Sequence, residues 1–162
     1  MTTQVFIHSE IESPVGPLHL YANEDGLTGL YMNIQKGEQP AGLDGTNPFI
    51  DLAIQELTEY FEGSRREFTV KLAPIGTKFQ LSVWAELMNI PFGKTISYGE
   101  LAKRLGDPLL TRAVGTANGS NPISIIIPCH RVIGANGHLT GYGGGIERKR
   151  WLLDHEAEDQ LF

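Results

Sequence analysis

The tetrapeptide Ala73-Pro74-Ile75-Gly76 separates two kinds of sequence, and that break limits the folds open to the chain more than any other feature. Ahead of it lie short runs of β-formers and one helical pattern; behind it lie short, well-capped helices. Proline fixes φ and glycine frees it, so the pair within four residues punctuates structure strongly. A chain of 162 residues has material for one good core or two small domains. We read residues 1–75 as an N-terminal domain and residues 76–162 as a C-terminal domain. The expected fold is α/β (α+β): a small antiparallel sheet plus a helix, packed on a mainly helical domain with a helix-turn-helix.

Residues 5–8, 18–22 and 27–32 are rich in β-formers, and Glu24-Asp25-Gly26 supplies the turn between the last two. The polar, Gly-rich residues 37–46 read as a loop ending at Asn47-Pro48, an N-cap followed by a proline at the first helical position. Phe49, Ala53, Leu57, Tyr60 and Phe61 then recur at helical spacing until Gly63. Residues 65–72 are expected to add a strand.

Beyond the break, Thr77-x-x-Gln80 is a capping-box pattern, followed by Phe79, Val83 and Leu87 on one face with Trp84 beside them. Pro91-Phe92-Gly93 ends that helix. Ser97-x-x-Glu100 opens a second, short helix with Leu101 and Leu105 inward and Gly106 at its end. Asp107-Pro108 restarts the chain, and residues 111–118 form a third helix. Two short helices around a Gly-containing turn outline a helix-turn-helix, although helical hairpins that touch no DNA share the outline. The β-branched residues 123–127 suit a strand buried on both faces, delivering Pro128-Cys129-His130-Arg131-Val132 at its end. A Gly-rich loop, residues 134–145, precedes a last helix over 146–156.

The formal charge of -6 argues against nucleic acid until it is divided along the chain. Residues 1–75 hold four Lys/Arg against eleven Asp/Glu, while residues 76–150 hold nine against four. A basic stretch in an acidic protein can still meet phosphates locally. No stretch approaches the roughly 20 apolar residues of a membrane span, and Met1 to Glu10 lacks a secretory profile. A cytoplasmic address is the expectation.

With one cysteine the chain has no internal disulfide and no Cys-x-x-Cys metal or redox motif. A cysteine attacks as thiolate, and with an ordinary pKa of about 8.5 little is ionised at neutral pH. His130 and Arg131 in sequence, and His155 or Glu156 on the last helix, are the groups that could activate it. Neighbouring residues of an extended segment face opposite ways, so a Cys129–His130 relay needs a bend or a water. The alternative is a buried cysteine acting as a small hydrophobe.

From Arg112 to Glu156 the chain reads RAVGTANGSNPISIIIPCHRVIGANGHLTGYGGGIERKRWLLDHE, and upstream FQLSVWAELMNIPFGKTISYGELA. PCHRV, the Asn-Pro ahead of it, the Gly-rich loop and the closing Trp-Leu-Leu-x-His-Glu helix together resemble the O6-alkylguanine-DNA alkyltransferases. Ser13-Pro14-Val15-Gly16-Pro17-Leu18 agrees more loosely, with a ribonuclease-H-like first domain implied. The resemblance implies that Cys129 accepts the alkyl group, once per molecule, with a water linking it to His130 and Glu156 completing the relay. It implies that Arg112 replaces the extruded guanine in the stack, that Tyr98 crowds the flanking phosphate and donates to the base N3, and that Ala113 and Thr116 share the DNA-facing helix. Asn121 would tie that helix to the active-site turn. Carbonyls of Cys129 and Val132 would read the guanine amine, with Tyr142 and the Gly143 N–H around O6. The partner implied is duplex DNA carrying O6-alkylguanine, approached from the minor groove; action on O4-alkylthymine stays open. No cofactor, no metal and no obligate protein partner is expected, and the chain should be a monomer.

Two departures stand out. Asn118-Gly119-Ser120 lacks a basic residue that some relatives place there, and the N-terminal domain lacks the cysteines with which some relatives bind zinc. Three rival readings are a non-catalytic binder of alkylated DNA, which Cys129 argues against; a Cys-His hydrolase, which leaves Arg112 and the helix-turn-helix unexplained; and a transcriptional regulator, for which 162 residues are expected to leave no room for a regulatory domain.

Overall fold

The computed structural model describes residues 5–32, 42–139, 142 and 145–158. The chain divides into two compact units, Met1–Ile75 and Gly76–Phe162.

In the first unit, β1 (Ile7–Ile11), β2 (Leu18–Ala22), β3 (Leu27–Tyr31) and β4 (Leu43–Asp44) form one sheet in the order β3-β2-β1-β4. The hairpin β2–β3 closes as its turn residues dictate: Asn23 Oδ1 accepts from the N–H groups of Asp25 and Gly26. A side chain at Gly26 would meet the Lys71 carbonyl at 2.8 Å, which is why glycine is needed there. β1 starts two residues later and ends three residues later than the β-former run suggested. Its pairing with β2 fixes the register Ile7↔Ala22 to Ile11↔Leu18. β4, parallel to β1, lies inside the span read as loop, and residues 37–41 of that span fall outside the described residues. His8 and Asp44 face each other across this pair at 3.0 Å.

Helix α1 (Pro48–Glu62) begins with Asn47 accepting from the Ile50 N–H and ends at Gly63 with φ 87°. Its inner face, Ile50, Ala53, Leu57 and Tyr60, is buried. Glu56 is buried on the same face, and this corrects the expected strand over residues 65–72. Its carboxylate accepts the backbone N–H groups of Thr69 and Val70, which are therefore lost to a ladder. Only a bridge between Leu27 and Leu72 remains.

The second unit opens with α2 (Lys78–Leu87), whose capping box between Thr77 and Gln80 is complete. Val83, Trp84 and Leu87 are buried, and the Trp84 indole donates to the Ala117 carbonyl at 2.8 Å. That bond joins α2 to α4 (Thr111–Gly119). Between them lies α3 (Tyr98–Arg104), capped by Ser97 and ended near Gly106, whose φ is 99°. A single 3-10 turn, Pro108–Leu110, capped by Asp107, leads into α4.

The expected strand over residues 123–127 is absent. Ile123, Ile125, Ile126 and Ile127 are buried as foreseen, but the backbone coils. Asn121 explains this, because its side chain accepts the Ile123 N–H at 3.0 Å and donates to the Ile127 carbonyl at 2.8 Å. Ile125 is thereby held at φ 73°, a conformation that costs a β-branched residue about 1–3 kcal/mol. A continuous apolar run reports burial, not shape. The chain then makes a 3-10 turn over Cys129–Arg131 and the short β6 (Val132–Ile133), parallel to β5 (Ile96–Ser97). The last helix, α5 (Ile146–Glu158), presents Lys149, Leu152 and Glu156 inward.

Candidate active site

The coiled segment ahead of Pro128 removes the geometric difficulty raised by adjacent cysteine and histidine. In a 3-10 turn successive side chains advance by about a third of a turn, so Cys129, His130 and Arg131 fan out from one point instead of alternating across a strand. All three are buried. His130 is wholly enclosed, and its Nε2 lies 2.7 Å from Glu156 Oε2 on α5. A carboxylate can only accept, so Nε2 carries the proton and Nδ1 keeps its lone pair. Nδ1 is buried with no hydrogen-bond partner in the protein.

Arg131 completes this arrangement from the other side. Its Nε and Nη2 donate to Glu156 Oε1 and Oε2 at 2.8 and 3.1 Å, and Nη1 donates to the Ile90 carbonyl at 2.7 Å. The Phe92 ring lies 5.7 Å from the guanidinium, and the Gly93 N–H reaches Glu156 Oε1 at 3.4 Å. Burial alone would raise the Glu156 carboxyl, but His130 and Arg131 outweigh it and hold the group well below the usual carboxylate range. Burial lowers His130 despite the nearby carboxylate, which keeps its ring neutral at physiological pH.

Ionisation of the thiol at neutral pH would need a lowered pKa, and its setting does not lower it. Burial pushes Cys129 up, against the opposing effects of the Asn121 side chain, the Lys149 charge and the backbone N–H groups of Cys129 and His130. The resting group is a protonated thiol beside a neutral imidazole. Two buried residues that the sequence reading passed over bear on this. Lys149 donates from Nζ to the Val132 carbonyl at 2.7 Å and lies 5.9 Å from the Tyr98 ring. Asn118 Nδ2 approaches the Cys129 carbonyl at 3.4 Å, tying α4 to the turn. Their helical offsets from Glu156 and from Val114 were the only signals in the sequence.

The remaining candidates fall into two groups. Tyr98, at the start of α3, and Asn121 stand next to the turn, and β5–β6 pairing brings Tyr98 there. Tyr142 is hydrogen-bonded to Ser124; burial, then the Cys129 charge, push its phenol well above its usual range, so it stays a donor. Arg112, Ala113 and Thr116 lie instead on the exposed face of α4, away from the buried cluster. His155 stacks on Trp151, with ring centroids 4.9 Å apart. Gly143 lies outside the described residues.

A buried cysteine within a Cys-His-Arg turn, backed by one ionised glutamate, is the core of the site, and comparison with known proteins gives it a family. Residues 78–158 match the 6-O-methylguanine DNA methyltransferase DNA binding domain, and residues 7–74 match the ribonuclease-like domain of the same family. The chain belongs to the 6-O-methylguanine DNA methyltransferase family. It is 51% identical to the methylated-DNA–protein-cysteine methyltransferase of Methanosarcina acetivorans over 90% of this chain and 95% of that protein. The Mycobacterium tuberculosis protein of the same name is 50% identical over 90% of this chain and 89% of its own length. A Mycobacterium tuberculosis OGT solved in complex with DNA superposes with a TM-score of 0.86 at 48% identity, covering 95% of this chain and 93% of that one. Among the described residues, no helix of this family member is long and apolar enough to cross a membrane.

Proposed function

We propose that the protein repairs DNA by direct reversal, moving a methyl or other alkyl group from the O6 atom of guanine to Cys129, irreversibly and once per molecule. The observation that carries this is the enclosed Cys129–His130–Glu156 turn. It offers a thiol, a neutral base with a free lone pair, and a carboxylate already ionised to support the imidazolium that forms.

The thiol proton passes to His130 Nδ1, by way of the water the family resemblance implies. The sulfur electron pair attacks the alkyl carbon, the carbon–oxygen bond breaks, and its electrons return to the guanine ring as Tyr98 donates a proton to N3. The thioether has no leaving group, so no second turnover follows. Carbonyls of Cys129 and Val132 would hold the guanine amine, Tyr142 would wall the pocket, and Gly143 would serve O6. The attacked atom lies inside a duplex, so the base must be flipped out, at a cost of a few kcal/mol. Helices α3 and α4 act as the helix-turn-helix in the minor groove. Arg112 enters the vacated stack, a task suited to a planar guanidinium, with Ala113 and Thr116 against the backbone and Asn121 linking helix to turn. No cofactor takes part, and the protein works as a cytoplasmic monomer.

Reaction with an O6-methylguanine duplex, followed by intact mass and peptide mapping, should give one methyl per chain, on Cys129. Cys129→Ser should abolish transfer yet retain binding to the damaged duplex. Repeated turnover, or a label elsewhere, would overturn the reading.

A further inference from the structure

Leu109 is 89% exposed, more than any other large hydrophobic residue described. Single exposed leucines are common on protein surfaces, but this one is presented in a defined way. The 3-10 turn that carries it is pinned on three sides. Asp107 Oδ1 accepts the Leu109 N–H at 2.9 Å, the Leu110 N–H donates to the Asp107 carbonyl at 3.0 Å, and Thr111 Oγ1 donates to the Pro108 carbonyl at 2.8 Å. Gly106, at φ 99°, sets the direction of the turn.

The turn continues into α4, so Leu109, Arg112, Ala113 and Thr116 recur at i, i+3, i+4 and i+7 and share one face. All four are exposed, while Val114, Ala117 and Asn118 are buried on the opposite side. None of these four residues is acidic, and the nearest carboxylate, Asp107, is engaged in capping the turn. Residues at i and i+3 lie about 5–6 Å apart at Cβ, against about 3.4 Å between successive nucleotides of a strand. A side chain beside Arg112 therefore falls about one to two base steps away. Apolar side chains inserted at such steps are a recurrent means of prying open the minor groove.

We propose that Leu109 is a second, apolar probe of this face, a positioning residue that wedges into the minor groove beside Arg112 and unstacks the base step next to the extruded guanine. This rests on the DNA-repair reading above. Arg112 fills the space the guanine leaves, and Leu109 holds the neighbouring step apart so that the guanine leaves faster. Sequence readout is not involved, which suits a lesion that occurs in any context.

The test compares the wild type with Leu109→Ala, Leu109→Met and Arg112→Ala, each assayed on an O6-methylguanine duplex and on free O6-methylguanine. A duplex carrying 2-aminopurine at the neighbouring step reports unstacking on rapid mixing. Leu109→Ala should slow duplex repair about tenfold and shrink the 2-aminopurine rise. It should leave the free-base rate and the salt dependence of binding unchanged, since no charge is lost, and Leu109→Met should recover most of the effect. Because the side chain is exposed, folding is unaffected. If Leu109→Ala repairs duplex at the wild-type rate while Arg112→Ala does not, the wedge is wrong and the reading of α4 stands. An equal loss on free base would also overturn the wedge. If neither variant separates duplex from free base, the flipping role of α4 fails with it.

Discussion

Glu156 accepts from His130 and Arg131 at once, and that sharing decides what each side chain can do. A carboxylate held ionised by a guanidinium is a poor proton acceptor, so a proton arriving at His130 stays there, and the imidazolium is stabilised by a fixed negative charge. Glu156→Gln removes that charge and leaves the base in place. Thiolate–imidazolium formation becomes harder, so we expect the rate at neutral pH to fall roughly 10- to 100-fold, within the range of a general-base contribution. The half-maximal point of the pH–rate profile should move upward, toward direct ionisation of a thiol that burial has already raised. Stopped-flow transfer to free O6-methylguanine across pH 6 to 9 measures both; an unmoved profile in a folded variant would take Glu156 out of the relay.

In the proposed mechanism two neighbouring elements divide the work of reaching and holding the base. The coil from Asn121 to Pro128 is shaped by a single amide, so Asn121→Ala leaves the Ile123 N–H and the Ile127 carbonyl without their bonds in a buried place. The loss should be about 1–3 kcal/mol of stability, with slower transfer from duplex and free base alike, because the thiol loses its setting. Denaturant midpoints and the two rate constants would show it. Arg112, by contrast, sits on the exposed face of α4. Arg112→Ala should lower duplex repair by one or more powers of ten, the scale of a few kcal/mol of unstacking, while free base reacts as before. An equal loss on both substrates would assign Arg112 to the pocket.

Across the whole molecule, buried titratable groups in both units bias stability the same way in acid. Burial raises Glu56, but hydrogen bonds from Thr69 and Val70 and the Arg65 charge outweigh it and lower the group; Glu156 is lowered too. Each contributes stability that is complete above its unfolded pKa of about 4.3 and lost as pH falls through its folded value. His130 is also lowered, here by burial, so the unfolded chain binds that proton first, and stability begins to fall below about pH 6.5. Urea midpoints should therefore be highest near neutrality and decline steadily to pH 4. The slope below pH 6.5 should be smaller in His130→Gln, and a midpoint that rose on acidification would contradict the proton count.

Residues close together in sequence were read well because local chemistry sets them: the Asn47-Pro48 start and Gly63 stop of α1, the capping box of Thr77 and Gln80, the Ser97 cap, and the hairpin at Gly26. Periodicity marked the inner faces, and PCHRV with its flanking motifs marked the cysteine and its family. What the sequence left open depended on groups far apart along the chain. Glu56 reaches Thr69 and dissolves an expected strand, and Arg131 and His130 meet a glutamate 25 and 26 residues away. Lys149 closes on the Val132 carbonyl. The isoleucine run before Pro128 predicted burial correctly and shape wrongly, because one asparagine amide took the backbone groups a strand would have used. Backbone hydrogen bonding must be satisfied somewhere once water is excluded, and which buried side chain satisfies it is decided only when the tertiary structure brings that side chain near.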